Sequence, residues 1–288
     1  MNQINRIILG TAQFGLNYGI SNSSGKLDKK DVFKLFDKAF EYGVSILDTA
    51  EVYGNAHALI GEYNKRQTKF LINTKLKIVN SNIKKQIDQL LLDLNVDVIN
   101  TFMFHSPSGY FDANSKIIES LNEIKNSGKI NNIGISLYTN EDILRTLDES
   151  IVSIIQAPFN LLDNNFQRKS VFNNLENHHK EIHVRSIFLQ GLFLKEESKI
   201  PNVLKPLLIY IQKLKDIANN EGLTIEQLAL AYVVAQKKIN NIIIGVDNLF
   251  QLENNIQLLE KKLSRATKKL IDEIDVNESN LLYPYNWK

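Results

Sequence analysis

The chain has 288 residues, 43% of them hydrophobic and 23% charged, which is the composition of an average globular protein with enough apolar residues for a large core. Its 34 basic and 32 acidic residues nearly cancel, and no long run of like charge occurs, which excludes the electrostatic footprint of a nucleic-acid-binding protein. The absence of cysteine excludes disulfides, thiolate nucleophiles and cysteine-ligated metals.

Short apolar, β-branched segments alternate with longer segments of helical spacing along the whole chain. The predicted strands are Arg6–Leu9, Ser45–Thr49, Phe70–Lys75, Val98–Phe104, Ile130–Ile135, Ile154–Ala157, His183–Phe188 and Ile242–Ile244. Candidate N-caps precede three of the intervening helices, at Asp28, Ser81 and Thr139. Two helical patterns, Leu204–Asn219 and Thr224–Ala235, lie before the last strand, and a final helix at Ser264–Ile274 precedes the tail.

This alternation predicts an α/β fold, a single (β/α)8 TIM barrel over residues 1–288 with an extra helix before the last strand and a C-terminal helix plus tail. The structural alternative is a doubly wound open sheet. That fold would need a G-x-G-x-x-G turn after the first strand, which the sequence lacks. The N-terminal residues lack a signal-peptide pattern and no apolar run approaches 18 residues, so we expect a cytoplasmic protein without a membrane segment.

Barrel enzymes build their active sites at the C-terminal ends of the strands, so the polar residues that follow each strand are the candidate functional residues. They are Gly10–Gly15 after the first strand, Asp48 and Tyr53 after the second, Lys75 after the third, His105 after the fourth, Ser136 after the fifth, Gln156 and Asn160 after the sixth, Arg185 and Ser186 in the seventh, and Gly245–Asn248 after the eighth. We expect them all to face one mouth of the barrel.

Several of these strand ends carry motifs that resemble those of the aldo-keto reductase family. The two opening motifs are L-G-T-A-Q-F-G (Leu9–Gly15) and D-T-A-E-V-Y-G (Asp48–Gly54). Similar segments follow in the family's order at Asn73–Leu76, Met103–Pro107, Gly128–Ser136, Gln156–Asp163, Arg185–Leu192, Leu223–Val233 and Ile242–Asn255. Any one motif is weak, but the ordered series covers nearly the whole chain.

The resemblance implies carbonyl reduction, or the reverse oxidation of an alcohol, with a nicotinamide cofactor. Negative charge develops on the carbonyl oxygen as hydride arrives, so the site needs a proton donor, and Tyr53 is the candidate. A nearby Lys75 ammonium is expected to lower the Tyr53 pKa, with Asp48 as the counter-charge of the lysine. His105, expected to be neutral, would orient the carbonyl. We expect no metal, because the other histidines show no metal-ligand spacing.

The same resemblance places the dinucleotide across the barrel mouth. Ser136 and Gln156 would bond the carboxamide, and Asp48 would contact the nicotinamide ribose. Arg185 stands where many relatives stack a tyrosine on the nicotinamide, and its flat guanidinium can serve the same purpose. Leu137 stands where several relatives have an asparagine, so one carboxamide contact is lost. Gly10, Thr11, Ala12 and Ser186 complete the expected contacts around that end.

The adenosine end decides between NADP and NAD, since a 2′-phosphate calls for basic side chains. Gly245 and Gln251 occupy positions where strict NADP binders have Lys and Arg, and Asp247 adds a negative charge nearby. Asn248, Gln251 and Asn255 could still hold the phosphate as neutral donors. The sequence analysis favours NADP on this basis and keeps NAD as the alternative.

Two functions from different classes fit the motifs. The first is a catalytic reductase of a small carbonyl substrate, and the resemblance of the segment R-S-I-F-L-Q-G (Arg185–Gly191) to reductases of sugar and polysaccharide metabolism implies a keto or aldehydo sugar derivative and carbohydrate metabolism. The second is a nucleotide-sensing, weakly catalytic regulatory subunit like the potassium-channel beta subunits. We expect the reductase, because no long partner-binding extension precedes the first strand.

The tail 277–288 is expected to shape the substrate pocket, with Tyr283, Tyr285 and Trp287 as candidate walls. The sequence does not indicate an oligomeric state.

Overall fold

The computed structural model describes residues 3–20, 22, 25–66, 70–77, 79–80 and 82–287. Within them, eight parallel strands close into one barrel in chain order. The strands are β1 (Ile7–Gly10), β2 (Ile46–Asp48), β3 (Leu71–Leu76), β4 (Ile99–Phe104), β5 (Ile130–Ser136), β6 (Ile154–Pro158), β7 (Glu181–Arg185) and β8 (Asn241–Gly245). The (β/α)8 fold predicted from the alternation of strands and helices is therefore confirmed.

Helices surround the barrel and separate its strands. They are α1 (Ala12–Gly15), α2 (Lys29–Glu41), α3 (Ala56–Arg66), α4 (Ile83–Leu94), α5 (Pro107–Phe111), α6 (Ser115–Asn126), α7 (Asn140–Thr146), α8 (Lys169–Asn174), α9 (Leu208–Asn220), α10 (Ile225–Val234), α11 (Leu249–Gln257) and α12 (Arg265–Asp272). Both α9 and α10 lie between β7 and β8, which confirms the extra helix in that unit. No helix in the described part of the chain has the length and apolar character needed to cross a membrane.

Helix α2 illustrates how the local sequence produces these elements. The Asp28 carboxylate caps it by accepting a 2.9 Å hydrogen bond from the Asp31 amide. Its apolar residues recur at helical spacing and bury one face against the barrel, at Val32, Phe33, Leu35, Phe36 and Ala39. Thr139 caps α7 in the same way, as predicted. Ser81 lies outside the described residues.

Two element boundaries differ from the sequence prediction by three residues or more. Strand β7 ends at Arg185 and not at Phe188, because Ser186 has a left-handed backbone (φ 59°) and a 3-10 segment begins at Leu189. Helix α9 begins at Leu208 and not at Leu204, because Pro206 lies in a preceding 3-10 turn.

The strand register brings the predicted site residues to one level. Gly10 in β1 pairs with Asp48 in β2 and with Gly245 in β8. Ser136 in β5 pairs with Gln156 in β6. Because all strands are parallel, these C-terminal ends surround the same mouth of the barrel.

Candidate active site

The site is centred on a buried ion pair between two neighbouring strands. Lys75 of β3 donates a 2.5 Å hydrogen bond from Nζ to Oδ1 of Asp48, the last residue of β2, and the two side chains are 1% and 5% exposed. Burial lowers the pKa of Lys75, and the Asp48 carboxylate opposes that shift. Lys75 also donates to the carbonyl of Thr49 at 3.3 Å. The carboxylate predicted from the sequence as the lysine's counter-charge therefore contacts it directly.

Further hydrogen bonds fix Asp48. Its second carboxylate oxygen, Oδ2, accepts from Nε2 of Gln156 at 2.8 Å. Its carbonyl accepts from the Thr11 amide at 2.9 Å and from the Thr11 hydroxyl at 3.0 Å. Asp48 therefore links strands on opposite sides of the barrel mouth, and its carboxylate has no freedom to rotate away from Lys75.

Tyr53 lies in the loop after β2, beside this pair. The Lys75 ammonium is 5.4 Å from the centre of the Tyr53 ring. Gly15 is needed here, because a Cβ at that position would lie 1.7 Å from the Tyr53 carbonyl oxygen. The glycine that ends the first motif thus allows the loop after β1 to pack directly against the loop that holds Tyr53.

The electrostatics of Tyr53 differ from the sequence expectation. Burial and then the Asp48 charge raise the pKa of Tyr53 well above its usual value, whereas the positive charge of Arg185 lowers it. The expectation that a nearby Lys75 ammonium lowers the Tyr53 pKa is therefore wrong: Arg185 is the cation that lowers it, and burial and the Asp48 charge outweigh that effect. The Tyr53 hydroxyl consequently keeps its proton throughout the neutral pH range.

His105 follows β4 and faces Tyr53. The two rings meet edge to face, with centroids 6.2 Å apart. Burial, together with the positive charges of Lys75 and Arg185, lowers the pKa of His105 to about 4. Its imidazole is therefore neutral at pH 7, as expected from the sequence. Nδ1 is buried without a hydrogen-bond partner among the described residues.

A groove of about 500 Å³ runs from Asp48 and Tyr53 across the barrel mouth to α11. The predicted cofactor residues that line it are Gly10, Thr11, Ala12, Asp48, Arg185, Ser186, Gly245, Gln251 and Asn255. Ser136 and Gln156 are buried in the barrel floor beside Asp48. Oε1 of Gln156 is buried and has no partner within the described chain, so it can accept a hydrogen bond from a carboxamide NH2. The residues present therefore fit a nicotinamide at this end of the groove.

Arg185 lies at the same end of the groove. Its guanidinium stacks on the Tyr138 ring, 4.1 Å from the ring centre, and donates to the Leu137 carbonyl at 3.3 Å and the Ser186 hydroxyl at 3.4 Å. These two bonds involve two of the five guanidinium N–H donors, which leaves donors for a ligand. Its stacking on nicotinamide stays a prediction.

Two predicted neutral phosphate ligands accept hydrogen bonds within the protein through their amide oxygens. Asn248 caps α11, accepting from the Gln251 amide at 2.9 Å, and does not line the groove. The Gln251 carboxamide accepts from the Asp247 amide at 2.7 Å. These bonds use the amide oxygens of both side chains, whereas a phosphate would accept hydrogen bonds from their NH2 groups, so their role as phosphate ligands stays a prediction.

The structure adds residues that sequence reasoning missed. Tyr18 and Gln190 line the groove and bond each other at 3.1 Å, joining the loops after β1 and β7. Glu226 in the first turn of α10 lines it as well. A search for polar residues at strand ends does not find these three residues, because Tyr18 and Gln190 lie within loops and Glu226 lies at the start of a helix. Groups of three or more His, Asp or Glu side chains with metal-site geometry do not occur in the ranges described.

The tail contributes an aromatic cluster. Tyr285 and Tyr283 stack on each other with ring centres 5.8 Å apart, and both lie edge-on to Tyr138 at 4.9 and 5.7 Å. Trp287 packs instead against the core, with Nε1 donating to the Leu281 carbonyl at 2.8 Å. Of the three candidate pocket walls, Tyr283 and Tyr285 therefore contact Tyr138, on which Arg185 stacks. Trp287 instead holds the tail against the core.

Comparisons with known proteins agree with this geometry. The sequence model described as "Aldo/keto reductase family" matches residues 6–276. The chain is 24% identical to the NADH-specific methylglyoxal reductase of Escherichia coli strain K12, over 94% of both chains. It is 29% identical to the 6-dehydroglucose reductase of Novosphingobium aromaticivorans, over 39% of this chain and 43% of that protein.

Solved structures show the same fold. An aldo-keto reductase from Bacillus halodurans, in its holo form, superposes with a TM-score of 0.77 at 21% identity, covering 93% of this chain and 91% of that one. A glycerol dehydrogenase from Gluconobacter oxydans gives a TM-score of 0.73 at 18% identity, covering 93% and 90%. The match of the family model over nearly the whole chain establishes that this protein belongs to the aldo/keto reductase family and is an NAD(P)H-dependent oxidoreductase.

Proposed function

We propose that the protein reduces the carbonyl group of a small aldehyde or ketone to an alcohol, or catalyses the reverse reaction, with Tyr53 as the general acid. The observation that carries this proposal is the buried Asp48–Lys75 pair beside a protonated tyrosine and a neutral histidine, at one end of a groove. We further propose that residues 1–288 form one such barrel domain and act in the cytoplasm.

A nicotinamide dinucleotide, when bound, supplies the hydride. Gln156 would hold its carboxamide through the free Oε1, with Ser136 next to it, and Arg185 would lie on the ring. Gly10, Thr11, Ala12 and Ser186 line the adjoining stretch of the groove, and Gly245, Gln251 and Asn255 line the far stretch. The sequence favours NADP, with NAD as the alternative.

The protein's own residues handle the proton. As negative charge develops on the carbonyl oxygen, the Tyr53 hydroxyl donates its proton to that atom. The neutral His105 ring donates an N–H hydrogen bond to the same oxygen and so orients the substrate. Lys75 stabilises the tyrosinate left behind, and Asp48 keeps Lys75 charged in its buried position.

The aromatic cluster of Tyr138, Tyr283 and Tyr285, which does not line the groove but meets the groove-lining Arg185 through Tyr138, supports a sugar derivative as substrate. Aromatic rings stack on the apolar faces of sugar rings, and the free donors of Arg185 are suited to hydroxyl or anionic groups. The relatives named as a methylglyoxal reductase and a 6-dehydroglucose reductase act on small carbonyl compounds, in keeping with this class.

A turnover assay tests the proposal. We expect the purified protein to oxidise NADH or NADPH steadily at 340 nm in the presence of methylglyoxal or a keto sugar, with many equivalents consumed per protein molecule. Oxidation that stops after one bound equivalent, with every carbonyl compound tested, would contradict the proposal and support a nucleotide-sensing subunit.

A further inference from the structure

We propose that Asp247 makes the groove select NAD(H) over NADP(H), by accepting a hydrogen bond from the adenosine ribose and repelling a 2′-phosphate. This inference rests on the proposed function, since it concerns the dinucleotide of that reaction. It differs from the NADP preference that the sequence alone favours.

The direction of the groove places the adenosine near Asp247. Hydride transfer requires the nicotinamide to lie beside Tyr53 and His105, at the end lined by Arg185. The opposite end lies between the first turn of α10 and helix α11. A dinucleotide that fills the groove therefore has its adenosine at that second end.

The charges at the adenosine end are unfavourable to a phosphate. Among the groove-lining residues of the described chain, Arg185 is the single cation, and it belongs to the nicotinamide end. Two carboxylates, Asp247 and Glu226, line the adenosine end, accompanied by neutral amides and hydroxyls. A 2′-phosphate carries about two negative charges at neutral pH, so it would enter this end without a counter-ion and close to two like charges.

The Asp247 carboxylate can also accept further hydrogen bonds. Its Oδ1 is buried without a partner within the described residues, and its Oδ2 has a single long contact, 3.5 Å from Nε2 of Gln251. Burial raises the pKa of this carboxyl, which means that its ionised form lacks full solvation. A ribose hydroxyl that donates to Asp247 would supply part of the missing solvation.

Gln251 holds Asp247 in this arrangement. Its Oε1 accepts from the Asp247 amide at 2.7 Å while its Nε2 approaches the Asp247 carboxylate, so the same carboxamide fixes backbone and side chain. The Gln251 NH2 group faces the Asp247 carboxylate and Asn248 does not line the groove, so neither side chain adds positive charge at this end. The local geometry therefore favours a hydroxyl over a phosphate on the ribose.

Isothermal titration of the full-length protein with NAD and with NADP tests the inference. We expect NAD to bind at least about tenfold more tightly, the effect of roughly 1.4 kcal/mol of differential repulsion. Asp247→Asn should reduce this ratio severalfold by removing the charge, and Asp247→Arg should invert it by placing a cation near the phosphate. Asp97→Asn, which removes an exposed carboxylate before β4 and outside the groove, is the matched control and should leave the ratio unchanged.

Steady-state ratios of kcat/KM for NADH and NADPH should follow the binding ratios. A wild-type preference for NADP, or an unchanged ratio in Asp247→Asn and Asp247→Arg proteins with native melting temperatures, would overturn the role of Asp247 and leave the proposed function standing. Failure of both dinucleotides to bind would overturn the proposed function together with this inference.

Discussion

Replacement of Tyr53 by phenylalanine is expected to lower kcat for aldehyde reduction by a factor of about 10² to 10⁴, the usual contribution of a general acid. Cofactor affinity should stay within a few-fold, because the ring stays in place between the loops after β1 and β2 and only the hydroxyl is lost. Steady-state kinetics with a good aldehyde, combined with titration of the cofactor, measure both quantities.

Tyr63→Phe is the matched control for this prediction. Its ring is also buried, but its hydroxyl donates to Asp37 at 2.8 Å, and it does not line the groove. This variant should keep full activity. A Tyr53→Phe protein with the same turnover as the control would remove Tyr53 from the mechanism.

Loss of Lys75 is expected to affect stability as well as catalysis. Lys75→Met leaves the Asp48 carboxylate buried without its cation, and breaking such a pair typically costs about 3–5 kcal/mol. Asp48→Asn leaves the opposite charge unpaired and should also weaken cofactor binding. The double variant should lose much less of both activity and free energy of unfolding than the sum of the two single losses, because the residues act as a unit. Denaturant unfolding and kinetics of the three variants give the double-mutant cycle.

A surface pair serves as the control for this cycle. Lys129 and Asp88 approach to 2.6 Å, but both side chains are about half exposed, so Lys129→Met should cost no more than about 1 kcal/mol. Additive losses in the Lys75 and Asp48 variants would contradict a coupled role for the buried pair. They would also contradict the view that Asp48 acts on Tyr53 through Lys75.

The positions of the catalytic candidates could be predicted because strand ends are visible in the sequence. Asp48 and Lys75 lie at the ends of apolar strands and His105 directly follows one, and parallel strands bring such ends to one mouth. The conformation of Ser186 could not be predicted in this way, since nothing in the residue type signals a left-handed backbone. The end of β7 was therefore placed three residues too late.

The electrostatics were harder to predict than the positions. The Tyr53 pKa depends on how deeply the phenol is buried and on how close the charges of Asp48 and Arg185 lie, and both are properties of the packed site. The use of Gln251 and Asn248 within the protein depends on side-chain rotamers at the start of α11. Sequence spacing shows that such side chains are near a ligand, but not whether their hydrogen bonds are already satisfied.

Transfer of a label from cofactor to product tests the central claim most directly. The reduced cofactor carrying deuterium at C4 of the nicotinamide is incubated with the protein and an excess of aldehyde, and the alcohol is analysed by mass spectrometry. We predict one deuterium in each alcohol molecule, formed over many turnovers, and loss of this product in Tyr53→Phe. Alcohol without deuterium, or a single labelled equivalent per protein molecule, would contradict catalysis of hydride transfer at this site.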